Sequence, residues 1–208
     1  MNALLQLYSS NIAQLEEYLY NQRTMYFCAQ VITGKEIETK TSIERLLEGQ
    51  DQETVVWFPT KETREKRKGI ESTVSKPLFA GYLFIYWDGE KEIDFPLIDI
   101  RRLTNVIRFL RYNSGAYALQ GKDLEFAKWI HMHRGNIKRS KVIFKEGQRV
   151  HICEGPLTGF DGNVIKVDKH HKKITLGFDF AGKVTPVVFS VDFLSSYGQT
   201  DAPSLSKL

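Results

Sequence analysis

Glu146-Gly-Gln-Arg-Val-His-Ile-Cys-Glu-Gly-Pro-Leu-Thr-Gly-Phe-Asp-Gly-Asn-Val-Ile-Lys-Val-Asp168 decides how the second half of this 208-residue chain folds. Val150 and Ile152 alternate with polar residues, the period of a strand, and Val164, Ile165 and Val167 read as the next strand. The join between them holds Gly155, Pro156, Gly159 and Gly162. Glycine tolerates positive φ and close backbone approach, and proline fixes φ, so the join reads as a compact bend. A small five-stranded barrel turns its corners this way. Outward from this stretch the chain is almost all short strands, at about 148–153, 162–168, 173–180, 183–190 and 192–194, within a module spanning 142–197. The polar tail 198–208, with Pro203, is expected to be disordered.

Upstream the pattern changes. Residues 1–24 carry Leu4, Leu5, Tyr8, Ile12, Leu15 and Leu19 at helical spacing, which predicts an amphipathic helical extension. Packing on the next domain, fraying and binding a partner are all compatible with it. Residues 25–130 alternate strand and helix signals, which suggests an α/β sandwich. Tyr26 to Ile32 reads as a strand. Thr33 and Glu36 form a capping-box pattern that opens a helix running to about Glu48, ended by Gly49. Val55 to Phe58 is the next strand, and Lys61 to Gly69 a charged hairpin tip. Ser75 to Tyr86 is rich in aromatic and aliphatic residues. A weaker helix covers about Phe95 to Arg102, Val106 to Leu110 an edge strand, and Asp123 to His131 a closing helix. Residues 131–141 read as a short basic linker.

Composition narrows the function classes. Hydrophobic residues at 42% build real cores, and charged residues at 26% are ordinary for a water-soluble chain. The longest apolar run, Pro77 to Trp87, is too short to span a bilayer, and no basic-then-apolar leader opens the sequence. Cys28 and Cys153 sit in strand patterns in different halves of the chain, so two buried free thiols in a reducing, cytoplasmic compartment are expected. No nucleophile–base pattern and no phosphate loop of recognised spacing is present, so no enzyme and no cofactor are expected. His131-x-His133 and His170-His171 lack a Cys or carboxylate at ligand spacing and read as solvated histidines, not metal ligands.

Charge is uneven along the chain. Residues 1–130 hold 17 Lys and Arg against 18 Asp and Glu, whereas residues 131–208 hold 12 against 7. A basic module beside a near-neutral one suggests a polyanion partner. Lys166, Lys169, His170, His171, Lys172 and Lys173 concentrate on one hairpin, and Lys138, Arg139, Lys141 and Arg149 extend the patch. An isolated lysine run is usually a solvated turn. Here imidazole and guanidinium planes are added that stack on bases, which favours RNA. In the first half, Tyr82, Phe84 and Tyr86 alternate and so share one strand face, with Leu83 and Ile85 on the other. An aromatic face not needed for the core would bind protein. The residues alone leave core and interface equally open.

These stretches resemble the NusG family of transcription elongation factors. Glu154-Gly-Pro-Leu-x-Gly159, Gly162 and the closing Val167-Asp168 are similar to its KOW motif. Met25 to Val31 resembles the family's opening strand, and Pro77 to Phe84 its Leu-Phe-Pro-Gly-Tyr-Val-Phe pattern, with Ala80 where proline often stands. Asn105 to Leu110 and Leu119 to Ile130 match the family's next segment, so the resemblance covers about residues 25–195. It implies an α/β N-terminal sandwich like the NusG N-terminal domain, joined to a small all-β SH3-like barrel of the KOW type. It implies a monomer that binds RNA polymerase, with Tyr82, Phe84 and Phe109 against the β′ clamp helices. The segment Ile93 to Arg102 lacks the Thr/Ser cluster with which some members touch the polymerase gate loop. Ser140 to Gly147 and the basic hairpin look like the specialised LoaP branch, whose members are processive antiterminators that recognise a nascent RNA hairpin. The alternatives are a general NusG factor, whose KOW domain binds NusE or Rho, and an RNA-binding module of ribosomal-protein type. The β-branched Val164, Ile165, Val167, Ile174, Thr175, Val184, Val187, Val188 and Val191, with Pro186, predict a stable barrel in place of a helical hairpin.

Overall fold

The computed structural model describes residues 24–50, 52–89, 91–144 and 150–194. The expected extension before Thr24, Arg149 and the tail 198–208 lie outside them. In chain order the elements are β1 (Thr24–Val31), α1 (Glu36–Leu47), β2 (Thr54–Trp57), β3 (Thr60–Arg67), β4 (Ile70–Pro77), β5 (Tyr82–Asp88), α2 (Leu97–Arg101), β6 (Val106–Phe109), α3 (Gly121–Met132), β7 (Asn136–Ile137), β8 (Ser140–Phe144), β9 (Val150–Glu154), β10 (Val164–Asp168), β11 (Lys173–Phe180) and β12 (Lys183–Phe193). They form two compact units, Met1–Thr60 with Pro77–Asn136, and Lys61–Lys76 with Ile137–Leu208.

The first unit is built on an antiparallel sheet of order β2-β5-β1-β6. Strand β5 is central because it is apolar on both faces, with Leu83 to Trp87 all buried. One face carries Leu83, Ile85 and Trp87 with their cross-strand neighbours Ala29 and Phe27. Helix α1 lays Ile43 and Leu47 on that face, one helical turn apart, and α2 adds Ile100. Phe95 stacks on Phe27 at 3.8 Å between ring centroids. The other face carries Tyr86 and Phe84, and α3 covers it through Phe126, whose ring lies 5.7 Å from that of Phe84.

Helix α1 does not start as the capping-box pattern predicts. Lys35 is its N-cap and no side chain caps it. Glu36 is turned inward instead, only 5% exposed, and its carboxylate accepts the N–H of Gly34 and of Gly81, each at 2.8 Å. Gly81 has φ +78°, and a Cβ there would meet Thr33 Oγ1 at 3.0 Å and Val31 O at 3.2 Å. The turn before β5 therefore requires glycine and is tied to the start of α1. It also breaks the run Ser75 to Tyr86, whose first residues belong to β4.

The second unit is a β-rich module, a five-stranded sheet of order β10-β11-β12-β8-β9. All its pairings are antiparallel except β12 with β8. Its core is made by Val142, Ile152, Leu157, Ile174, Leu176, Phe178, Phe189 and Val191. At the Glu-Gly-Pro-Leu bend, Gly155 has φ +105° and lies where a Cβ would stand 2.9 Å from the Ser140 Cα. The buried Ser140 hydroxyl accepts the Leu157 N–H at 3.0 Å, so the bend is fastened to β8.

Several strand expectations change. The basic linker expected over residues 131–141 includes β7 and the start of β8. The two strands expected at 183–190 and 192–194 are one, β12, because residues 183–190 pair with β11 and 191–193 with β8. Pro186 fits there because it lies beyond the stretch paired with β8. The charged hairpin is longer than its expected tip, with Lys68 (φ 50°) and Gly69 (φ 84°) making the turn between β3 and β4. Both thiols are free, as expected, but only Cys28 is buried, and burial pushes its pKa up; Cys153 is exposed. No helix among the described residues is long and apolar enough to cross a membrane.

Candidate protein and nucleic-acid interfaces

The alternation on β5 places Tyr82, Phe84 and Tyr86 on one face, opposite Gln30, Cys28 and Tyr26 of β1. Their surroundings differ. Tyr82 is half-buried, whereas Phe84 is 0% and Tyr86 1% exposed. Phe79, Phe126 and Trp129 continue the aromatic packing, with Phe79 and Phe126 rings 5.3 Å apart and Phe126 and Trp129 5.5 Å apart. Phe109 is not on this face. It pairs with Ala29 in β1, is 4% exposed, and packs edge-on against Phe95 at 6.1 Å. Tyr82, Phe84 and Phe109 therefore do not share one surface, because the parity of β6 turns Phe109 toward α1 and α2. Sequence reasoning passed over Phe79, Phe126 and Trp129; the three-residue spacing of the last two on α3 was the available signal.

His131 is not a solvated histidine. Trp57 Nε1 donates to its Nδ1 at 3.3 Å, and its ring lies 4.4 Å from that of Tyr86. Burial holds its pKa below the usual value, against the opposing charge of Glu53. Among the described residues no group of three or more His, Cys, Asp or Glu side chains is placed to hold a metal.

In the second unit the basic candidates separate by their partners. Arg139 is half-buried with its Nε 3.6 Å from Asp192, so its charge is committed inside the module. Lys141 pairs with Glu154 at 2.8 Å on the exposed surface. Lys138 is exposed, and so is Lys166, which lies beside Ile165 and Val167 at a separate groove. Lys169 places its ammonium 3.7 Å from the Phe144 ring centroid, a cation–π contact that orders the turn from the side of β8. Asp168 accepts both the backbone N–H of His171 at 2.9 Å and its Nδ1 at 2.8 Å, while the His170 and His171 rings meet edge-on at 4.8 Å. These hydrogen bonds, the His171 backbone N–H foremost, hold the Asp168 carboxyl below the usual carboxylate range. Lys172 has φ 52°, a left-handed conformation that disfavours any side chain but is common in tight turns.

This turn does not stand alone. Arg64, Glu65, Lys66 and Glu71 of the β3–β4 hairpin line one wall of a groove of about 420 Å³ whose other wall is the turn from His170 to Lys173. The high charge of Lys61 to Lys68 was legible, but its placement against residues 170–173 was not.

Comparison with known proteins supplies a family. A family model described as "Transcription termination factor nusG" matches residues 24–127. The transcription termination/antitermination protein NusG of Borreliella burgdorferi is 31% identical over 144 residues, covering 65% of this chain and 75% of that protein. The NusG of Campylobacter jejuni is 29% identical over 167 residues, covering 78% and 91%. A solved structure titled "Domain interaction in Thermotoga maritima NusG" aligns with a TM-score of 0.49 at 21% identity, covering 81% of this chain and 94% of that one.

Proposed function

Because the chain belongs to the NusG family of transcription termination/antitermination factors, we propose that it is a processive antiterminator of the LoaP kind, a non-enzymatic cytoplasmic factor that acts on transcribing RNA polymerase. In this reading the first unit, with Tyr82 at the rim of its aromatic face, holds the β′ clamp helices and favours the closed clamp, a population shift toward the state it binds more tightly. The second unit is the SH3-like KOW barrel and takes a nascent RNA hairpin. The observation that carries the RNA half is the ordered turn Lys169–Lys173, held by Phe144 and Asp168, with Lys172 exposed and Lys173 half-buried beside it. Lys138 and Lys166 are further exposed cations of the module, and Arg149 lies in the same module by sequence. Lys141 and Arg139 serve the module's own carboxylates first.

One observation favours the second reading, a general factor whose KOW domain binds NusE or Rho. Ile165 and Val184, 58% and 61% exposed, flank Gly177, where an added Cβ would meet both at 2.9 Å. Such an apolar strip suits a protein partner. Titration of the full chain with a leader RNA hairpin and with a scrambled hairpin, at two salt concentrations, separates the readings. The antiterminator reading expects a preference for the leader hairpin that persists at the higher salt. Equal affinity for the two RNAs would leave the general factor in its place.

A further inference from the structure

The segment Lys61–Lys76 belongs to the first half of the sequence, yet it is part of the second compact unit. The contacts that join it there are polar and directional. The Arg64 backbone N–H donates to the Ser190 hydroxyl at 3.1 Å, and Ser190 is 2% exposed. The Arg64 guanidinium is ion-paired with Asp192, which also faces Arg139. Lys61 lies over the Phe189 ring at 5.5 Å. These three contacts are on β12, and β3 also pairs with β7 in a sheet of order β4-β3-β7, so the hairpin is held beside the β10–β11 turn.

The groove that results has an excess of positive charge. Its two carboxylates are answered from within the hairpin, Glu71 by Arg64 at 3.2 Å and Glu65 by an ion pair with Lys76. Lys66 on one wall, and Lys172 and Lys173 on the other, make no ion pair among the described residues, and Lys66 and Lys172 are exposed. The imidazoles of His170 and His171 line the same wall as Lys172 and Lys173. Among the described residues no apolar side chain lines the groove, and protein interfaces are depleted of charge at their centres, so an acidic protein fits it poorly. A sugar–phosphate backbone fits well, since it needs cations at intervals and tolerates a wet, open site.

We propose that the β3–β4 hairpin and the β10–β11 turn together form one composite groove for an RNA phosphate backbone, so that Lys66 is as much part of the RNA site as Lys172. The proposal rests on the reading of the second unit as an RNA binder. It adds that the hairpin inserted from the first half of the chain is half of that site, and that Asp192 positions it.

The test uses the full chain and a mixed-sequence RNA stem-loop, titrated over a salt series. Lys66→Gln and Lys172→Gln should each weaken binding several-fold and each lower the slope of log K against log salt by about 0.9, the loss of one phosphate contact. Asp192→Asn removes a negative charge near the groove, which on charge alone tightens RNA binding. If Asp192 holds the hairpin in place, the variant binds more weakly instead. A slope that falls with Lys172→Gln but not with Lys66→Gln would overturn the composite groove and leave the RNA reading of the β-module intact. A wild-type chain with no salt-dependent RNA binding overturns both. Polyglutamate displacing the stem-loop at equal charge concentration would assign the groove to an acidic protein and also overturn the proposal.

Discussion

Lys61 lies in a charged run, yet its ammonium is held against the Phe189 ring, and burial with the neighbouring Lys76 pushes its pKa down to about 8. Below pH 8 Lys61 is charged in both the folded and unfolded chain, and the fold bears the cost of burying that charge. Between pH 8 and about 10.4, the ordinary lysine value, the unfolded chain holds a proton that the folded chain lacks. Unfolding then takes up a proton, so stability rises with pH across that window. Lys61→Met keeps the aliphatic stem and removes the charge. Its melting temperature should exceed the wild type's at pH 7, and the gap should close as pH is raised from 8 to 10. A gap independent of pH would show that Lys61 is not desolvated. Nothing in the sequence marks this lysine, because Phe189 reaches it only through tertiary packing. Gly155 is the opposite case. Its need for glycine was legible, since a positive φ is a local requirement, although the Ser140 backbone that also excludes a Cβ was not.

At the scale of the element, β5 combines two roles that alternation alone does not separate. The period put Tyr82, Phe84 and Tyr86 on one face, and the sheet register agrees. Which of them is core depends on how far α3 extends over that face, and α3 reaches Phe84 through Phe126. Phe84→Ala should lower unfolding stability by about 3–5 kcal/mol, as for a fully buried aromatic ring. Tyr82→Ala, at a half-buried position, should leave the denaturation midpoint nearly unchanged and weaken the proposed polymerase contact by about 2 kcal/mol. Denaturant unfolding and a polymerase binding assay on both variants measure this division. If Tyr82→Ala unfolds the protein while polymerase binding per folded molecule is unchanged, the ring is core and the contact lies elsewhere. Elements with strong periodicity or clear stops, namely β1, α1, β6 and α3, were legible to within a few residues. Strand β8 was hidden because its alternation is short and its lysines read as linker. The true start of α1 was hidden because Glu36 accepts from the neighbouring Gly34 N–H and from the distant Gly81 N–H instead of closing a capping box.

For the whole molecule, the boundary between compact units redraws the charge map. Cut by sequence, the halves differ by a modest amount. Cut by structure, Lys61–Lys76 with Ile137–Leu208 hold 17 Lys and Arg against 10 Asp and Glu, while the remainder holds 12 against 15. If the hairpin and the β-module form one cooperative unit, they should open together. Ser190→Ala leaves the part-buried Arg64 N–H without its acceptor, a loss of about 1 kcal/mol. Hydrogen exchange should then accelerate in residues 61–76 and along β12, with β1 and β5 of the first unit unaffected. Faster exchange in the hairpin alone would mean that it is a loosely docked arm. The sequence by itself determined the α/β character of the first part and the glycine bends of the second, because these rest on local periodicity and backbone sterics, and it carried the resemblance to the family. Tertiary structure alone decided that Phe109 faces away from Tyr82, that Arg139 is committed to Asp192, and that the hairpin packs with the second unit. Those outcomes depend on strand parity and on contacts between residues far apart in the chain, which no local pattern encodes.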